Sequence, residues 1–207
     1  MSSRDVILGR IRDALTIAPP VAQDIPREYR TGRALPDAER VELLIDRLVD
    51  YKAVVHRSGA AEVPAVLAKV LGDLGAQRVG VPAGLDASWL TQFDGETVVD
   101  AADVPAPDLS GLDGVVTASA VSCAETGTIF LDGSPDQGRR ALTLVPDLHV
   151  CVVTVDSIEV GVPEALARLV PERPTTMISG PSATSDIELE RVEGVHGPRN
   201  LHVVIVG

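Results

Sequence analysis

Cysteine and aromatic residues are scarce in this sequence of 207 residues. Its two cysteines, Cys123 and Cys151, are too few for a disulfide framework or for a cysteine-ligated zinc or iron–sulfur site within the chain. Aromatic residues make up 2% of the chain, which leaves few platforms for stacking bases or a flat cofactor such as flavin. A ligand held by backbone groups remains compatible with this composition.

Long apolar runs and positive charge are also lacking. No apolar run approaches the roughly 20 residues that a membrane-spanning helix needs, and residues 1–9 lack the apolar segment of a signal peptide. We therefore expect a cytoplasmic protein that does not bind a membrane. The net charge of -12 and the pI of about 4.7 oppose binding to nucleic acid, because a phosphate backbone must be neutralised by clustered lysine and arginine.

The N-terminal part of the chain differs in pattern from the rest. Residues 2–15 begin with Ser2 and Asp5 in capping-box spacing and place apolar residues on one helical face, which predicts an amphipathic helix. Residues 16–36 contain four prolines and no periodic apolar pattern, which indicates an extended linker. We predict that residues 1–36 form an appendage and that residues 37–207 form one domain.

The remainder alternates between helical and strand patterns. Helices are predicted at 37–51 and 60–74, with a helical turn near Trp89, and strands at 53–56, 78–81, 96–99, 114–119, 127–132, 149–155, 175–179 and 201–206. Strands separated by helical stretches predict an α/β fold with a mostly parallel sheet flanked by helices. The β-branched run at 150–155 is typical of a central strand that is covered on both faces.

A loop rich in hydroxyl groups follows the strand predicted at 175–179. Ser185 and Glu188 have the spacing of a capping box, so a helix is expected to start there. The free amides and the hydroxyls of Ser179, Ser182 and Thr184 would then point at one spot beside the positive end of the helix dipole. This arrangement predicts a site for a carboxylate or phosphate outside the carboxyl ends of the strands. The alternative is that Ser185 only caps a helix after a tight turn.

Two further segments carry candidate functional groups. In residues 194–199, His196 can exchange a proton near neutral pH, and Arg199 offers a fork for a carboxylate. The alternative is a surface turn. In residues 117–128, Glu125 lies between two strand-like runs of small residues and could be a positioned carboxylate. Its alternative is a solvated acid in a hairpin.

The remaining candidates have simpler interpretations. Both cysteines are interpreted as core thiols, and His56, His149 and His202 as packed or hydrogen-bonded imidazoles. Because the four histidines are scattered in sequence, no metal site is predicted. Arg139 and Arg140 are expected at the surface, although either could face the anion pocket.

Four blocks of this sequence together resemble a known family. They are Ala124-Glu125-Thr126-Gly127-Thr128, then Arg140-Ala141-Leu142 leading to Leu144-Val145-Pro146-Asp147-Leu148-His149, then Ser179–Glu188, and finally Gly194-Val195-His196-Gly197-Pro198-Arg199. In this order they resemble the LUD-domain class and its lactate-utilisation protein C (LutC/YkgG) family. In the Ser179–Glu188 block the chain has Ala183 and Ser185 where family members usually carry Arg and Ala.

The resemblance implies a fold like that of the NagB/RpiA/CoA-transferase superfamily. It also implies a non-cluster subunit that takes part in oxidising L-lactate to pyruvate together with two iron–sulfur partner proteins, so that any cluster lies on the partners. On this hypothesis Glu125 and His196 are the candidate catalytic residues. The candidate ligand-binding residues are Thr126, Gly127, Ser179, Gly180, Ser182, Thr184, Asp186, Gly197 and Arg199.

Two other hypotheses remain open. The chain could be a stand-alone enzyme in which Glu125 is the nucleophile of a CoA transferase or the general base of a sugar-phosphate isomerase. It could instead be a scaffold whose amphipathic N-terminal helix docks partner proteins and whose pocket has no function.

Overall fold

A six-stranded parallel sheet forms the centre of the fold. The structure is a computed structural model that describes residues 2–19, 21, 24–101, 103–181, 183–184, 192–193 and 196–207. The α-helices are α1 (Ser3–Ile17), α2 (Asp37–Asp50), α3 (Val63–Asp73) and α4 (Val162–Ala167). Short 3-10 helices cover Ala60–Glu62, Ala87–Leu90, Ala106–Gly111 and Val155–Ser157.

The strands fall into three sheets. They are β1 (Val54–Ser58), β2 (Arg78–Val81), β3 (Glu96–Val99), β4 (Gly114–Thr117), β5 (Val121–Cys123), β6 (Thr128–Leu131), β7 (Leu148–Thr154), β8 (Ile158–Glu159), β9 (Thr176–Ile178), β10 (Ala183–Thr184), β11 (Val192–Glu193) and β12 (Asn200–Val206). The large sheet has the order β1-β12-β7-β4-β2-β3, and all its pairs are parallel. The predicted α/β class with a mostly parallel sheet flanked by helices is therefore confirmed.

Strand β7 has the central position that its β-branched sequence predicts. It lies between β12 and β4, and every residue from Leu148 to Val153 is buried. Val150 and Val152 pack on one face with Leu67 and Leu71 of α3. On the other face, the core consists of Cys151 and Val153 of β7, Leu44 and Leu48 of α2, and Ile129, Leu131 and Ile158 of a second sheet. The parallel sheet is thus covered on both faces.

The second sheet, in the order β8-β5-β6-β9, corrects one expectation. The strands predicted at 127–132 and 175–179 do form, as β6 and β9, but they belong to this smaller sheet and pair antiparallel. Only residues 124–127 connect β5 to β6, and such a short turn permits a hairpin but not a parallel crossover. The strand predicted at 114–119 ends at Thr117, because the amide of Ala118 donates to the carbonyl of Asp136.

The predicted amphipathic helix is α1. Ser2 and Asp5 form the expected capping box, and none of the helix residues is buried. Its apolar side chains are exposed, with Ile7 at 58% and Ile11 at 50%. Within the described part of the predicted linker, Gly32 donates its amide to Glu164, so this segment contacts the α/β body.

The turn between β5 and β6 requires glycine at position 127. Gly127 has a φ of +61°, a left-handed conformation that costs an L-amino acid roughly 1–2 kcal/mol. A Cβ atom there would lie 2.8 Å from the Cβ of Arg47 and 3.1 Å from its backbone carbonyl carbon. The turn therefore packs directly against the last turns of α2. This contact explains Gly127 without a ligand.

We expect Gly127→Ala to lower the free energy of unfolding by about 2–4 kcal/mol, because backbone strain and a steric clash with α2 add together. Gly133→Ala is the matched control, because Gly133 has a φ of +72° but no atom within 4 Å of its would-be Cβ. The control should lose only about 1–2 kcal/mol. Urea unfolding of both variants measures the difference, and equal losses would contradict the packing contribution of Gly127.

Candidate functional site

A cavity of about 280 Å³ lies between the two larger sheets. Its walls come from β9 and the loop after it, from the start of β7 and β12, from the loop before β12, and from the segment before β7. The lining residues are Arg140, Thr143, His149, Thr176, Met177, Ile178, Ser179, Gly180, Pro181, His196, Gly197, Pro198 and Leu201. His149 and Leu201 are each the second residue of a strand, so the cavity lies towards the amino ends of β7 and β12. The loop after β9 was expected to lie outside the carboxyl ends of the parallel strands. This expectation is wrong, because β9 belongs to the smaller sheet.

Two of the predicted segments meet in this cavity. Ser179 and Gly180 come from the loop after β9, and His196 and Gly197 come from the loop before β12. The hydroxyls of Thr126, Thr128 and Ser179 form a row, with oxygen distances of 2.8 Å and 2.9 Å. Through this row, Thr126 is linked to the cavity that Ser179 lines.

Gly180 has a conformational role at the edge of the cavity. Its φ is +79°, and a Cβ atom would lie 2.5 Å from the carbonyl oxygen of Tyr51. The loop after β9 can therefore approach the end of α2 only with glycine at this position. This contact fixes the backbone on which Ser179 is carried.

Arg140 supplies the positive charge of the cavity. Its Nη2 donates to the carbonyl of His196 at 3.1 Å, and its Nη1 donates to the hydroxyl of Thr143 at 3.2 Å. Partial burial lowers the pKa of Arg140 from its ordinary value. Within the described ranges, no carboxylate forms an ion pair with Arg140. A guanidinium that lines a cavity and has only neutral partners among the described residues favours the binding of an anion.

His149 forms the inner wall of the cavity. It is 1% exposed, and its Nε2 lies 2.8 Å from the hydroxyl oxygen of Thr117. Burial, and secondarily the positive charge of Arg140, lowers the pKa of His149 to about 4. The imidazole is therefore neutral at physiological pH. The prediction of a packed, hydrogen-bonded histidine is confirmed, but the sequence did not indicate that this residue also lines a cavity.

Glu125 lies in a different environment from His196. Its carboxylate forms ion pairs with Arg30, at 3.3 Å, and with Arg33, both from the predicted linker. Its amide donates to the carbonyl of Val160, which ties the residue to the end of β8. Glu125 is not among the residues that line the cavity. The two predicted catalytic residues therefore do not share this cavity.

Arg199 has a partner elsewhere. Its Nε donates to Asp147 Oδ1 at 2.7 Å, and its backbone amide donates to the same oxygen. The guanidinium expected to bind a carboxylate ligand thus binds a carboxylate of the protein itself. Arg140, and not Arg199, is among the residues that line the cavity.

Several predicted residues lie outside what the structure describes. Ser182, Ser185, Asp186 and Glu188 are not among the described residues. For Thr184 only the backbone is described, as part of the two-residue pairing of β10 with β11. The predicted helix start at Ser185 therefore remains a prediction.

A second cavity, of about 470 Å³, adjoins the first. It is lined by Pro82, Ala83, Asp100, Leu131, Gly133, Ser134, Pro135, Gly138, Arg139, Arg140, Thr143, Pro174 and Thr176. The two cavities share Arg140, Thr143 and Thr176. Arg139 is not available to a ligand as a free cation, because it makes two 2.8 Å hydrogen bonds to the largely buried carboxylate of Asp100.

The described residues contain neither a metal-binding group of side chains nor a membrane-spanning helix. Among them, no group of three or more His, Cys, Asp or Glu side chains has the geometry to hold a metal ion. Cys123 and Cys151 are both buried and belong to separate core clusters, so they cannot ligate one cluster together. No helix in the described ranges is long and apolar enough to span a bilayer.

The buried His149 makes stability depend on pH. The unfolded chain takes up a proton at this residue near pH 6.5, whereas the folded protein does so only near pH 4, so stability is lost as the pH falls through this window. We expect His149 to account for a loss of about 2 kcal/mol between pH 7 and pH 5. Urea unfolding at both pH values should show a smaller loss in His149→Gln than in the wild type. His56→Gln, at a half-buried histidine, should change the slope less; an unchanged slope in His149→Gln would contradict the assignment.

Comparison with known proteins places this architecture in a family. The family model of the LUD domain matches residues 42–206. The chain is 49% identical over 183 residues to "Lactate utilization protein C" of Deinococcus radiodurans, which covers 86% of this chain and 85% of the relative. A Bacillus subtilis protein of the same description is 33% identical over 99 residues, or 44% of this chain and 41% of the relative.

A solved structure supports the same assignment. The crystal structure of a DUF162 family protein from Deinococcus radiodurans matches this fold with a TM-score of 0.72 and 43% sequence identity. The match covers 84% of this chain and 100% of the solved chain. Together with the resemblance of the four sequence blocks, these matches show that the chain belongs to the LUD-domain family and to its lactate-utilisation protein C branch.

Proposed function

We propose that this chain acts in lactate utilisation as a non-cluster subunit that binds a small carboxylate in the 280 Å³ cavity. The observation that carries the proposal is the guanidinium of Arg140, which lines this cavity and whose hydrogen-bond partners among the described residues are the neutral His196 carbonyl and Thr143 hydroxyl. The description of the relatives as lactate utilisation proteins supports lactate or its oxidation product as the carboxylate.

The donors of Arg140 suit a carboxylate. A guanidinium carries five N–H donors in a planar fork, and the contacts to His196 and Thr143 use two of them. The remaining donors can bind both oxygens of a carboxylate, which is the strongest arrangement for such a pair. Ser179 adds a hydroxyl to the same cavity.

Arg140→Gln should weaken the binding of L-lactate about ten- to hundredfold, since it removes a charge-assisted hydrogen-bond pair. Isothermal titration calorimetry on the whole chain measures this loss. Arg199→Gln should cause a smaller loss, because Asp147 already holds that guanidinium. A larger loss in Arg199→Gln than in Arg140→Gln would move the site to the side chain that the sequence first suggested.

The electron acceptors are proposed to lie on partner proteins. Oxidation of lactate to pyruvate releases two electrons and two protons, and the family resemblance assigns iron–sulfur clusters to two partners. The apolar face of α1 is our proposed docking element for them, because Ile7, Ile11 and Leu15 are at least half exposed. Exposed apolar residues that align on one face of a helix are typical of a helix that binds into a groove.

Ile7→Ser combined with Ile11→Ser should reduce the iron that co-purifies with this chain from its source organism grown on lactate. The thermal unfolding midpoint should stay unchanged, because no residue of α1 is buried. Arg12→Ser with Asp13→Ser is the matched control, since these exposed residues lie outside the face formed by Ile7, Ile11 and Leu15 and the pair leaves the net charge unchanged. Equal iron recovery from all three proteins would dismiss α1 as the docking element.

A further inference from the structure

A buried chain of three side chains runs behind the wall of the carboxylate cavity. His149 Nε2 lies 2.8 Å from Thr117 Oγ1, Thr117 Oγ1 lies 3.8 Å from Cys151 Sγ, and Cys151 Sγ lies 3.8 Å from the carbonyl oxygen of Ala118. His149, Thr117 and Cys151 are each no more than 1% exposed. Because the three side chains are buried, the hydrogen bonds among Nε2, the hydroxyl and the thiol must be satisfied by one another and by the carbonyl of Ala118.

The chain has one consistent direction. It ends on the carbonyl of Ala118, which can only accept a hydrogen bond, so the thiol of Cys151 is the donor there. Burial raises the pKa of Cys151 to about 12, so the sulfur keeps its hydrogen. The sulfur can then accept from Thr117, as the geometry of that contact indicates.

Thr117 determines which nitrogen of His149 carries the hydrogen. A hydroxyl has a single hydrogen, and all three contacts of this row can be hydrogen bonds only if Thr117 donates that hydrogen to Cys151. The oxygen of Thr117 is therefore left to accept from His149, which requires the hydrogen of the neutral ring to be on Nε2. The other ring nitrogen, Nδ1, then carries a lone pair and no hydrogen.

We propose that Thr117 and Cys151 hold His149 as the Nε2–H tautomer, so that Nδ1 accepts a hydrogen bond from the ligand and the cavity favours 2-hydroxy carboxylates over 2-oxo carboxylates. This inference rests on the proposed function, because it takes Arg140 as the anchor of the carboxylate. His149 is then a residue that determines specificity.

The two side chains are placed to bind adjacent groups of one small acid. Arg140 and His149 line the same cavity, and the charge of Arg140 acts on the imidazole of His149. A 2-hydroxy acid presents a carboxylate and, on the neighbouring carbon, a hydroxyl that can donate to Nδ1. A 2-oxo acid presents a carbonyl oxygen at that point, and two lone pairs would then face each other. A buried site that must hydrogen-bond a hydroxyl discriminates against a ligand that lacks its hydrogen.

Calorimetric titration of the whole chain with L-lactate and with pyruvate tests the preference. The wild type should bind L-lactate about tenfold more tightly than pyruvate, as expected for one net hydrogen bond and one avoided repulsion. Thr117→Val and Cys151→Ala should each reduce this ratio, because either change frees the ring to adopt the other tautomer. Cys123→Ala is the matched control. The thiol of Cys123 is equally buried and contacts the carbonyl of Val160, but it does not belong to the row of His149, Thr117 and Cys151, so the ratio of the two affinities should persist.

A preference for L-lactate that survives in Thr117→Val and Cys151→Ala would overturn the role of these two side chains. Equal affinity of the wild type for L-lactate and pyruvate would overturn the proposed specificity. Both outcomes leave the proposed function standing if Arg140→Gln still weakens the binding of L-lactate. Failure of the wild type to bind either acid would overturn both proposals.

The tautomer itself can be observed without any variant of the buried chain. Long-range proton–nitrogen correlation spectra of the 15N-labelled wild type at pH 7 should show a protonated Nε2 and an unprotonated Nδ1 for His149. The signal is assigned by its absence from His149→Gln. A hydrogen on Nδ1 would overturn the proposal even if the Thr117 variant failed to fold.

Discussion

The burial of β7 on both faces is the constraint on which the rest of this structure depends. Its even-numbered valines pack under α3, and its odd-numbered residues face α2 and the second sheet. His149 lies in the odd-numbered register, at the point where the apolar core gives way to the cavity. A polar side chain in such a position must find internal partners, because leaving it unpaired costs roughly 1–3 kcal/mol. The hydroxyl of Thr117, on the neighbouring strand, meets this requirement.

The same constraint sets the electrostatics of the cavity. The sheet keeps His149 dry and neutral, whereas Arg140, on the segment before β7, keeps its charge near the opening. The neutral imidazole of His149 and the cationic guanidinium of Arg140 thus line one cavity, in a protein whose net charge is -12. Two nearby arginines are instead paired with carboxylates of the protein, Arg139 with Asp100 and Arg199 with Asp147. Arg140 differs from these two arginines because no carboxylate among the described residues pairs with it, which is why we propose it as the anion-binding residue.

The linker adds a contact that the parallel sheet does not dictate. Arg30 and Arg33 reach the carboxylate of Glu125, and Gly32 reaches Glu164. These are exposed contacts, and exposed ion pairs typically contribute less than about 1 kcal/mol each. They hold the linker near the β5–β6 turn without contributing much to the stability of the fold. The carboxylate of Glu125 is correspondingly engaged by the protein and not by the cavity.

The sequence by itself determined the fold class, the positions of β2 and β3, the capping box of α1, and the central place of β7. Each of these follows from local periodicity or from short-range hydrogen bonds, which neighbouring residues specify. It also predicted that Ser179, Gly180, His196 and Gly197 lie near one another, and all four line one cavity. Only the tertiary structure decided that β6 and β9 leave the parallel sheet, that Arg199 pairs with Asp147, and that Arg140 and His149 meet across the cavity. Those outcomes depend on which distant strands become neighbours, and a side chain's partner 50 residues away leaves no trace in the local pattern that surrounds it.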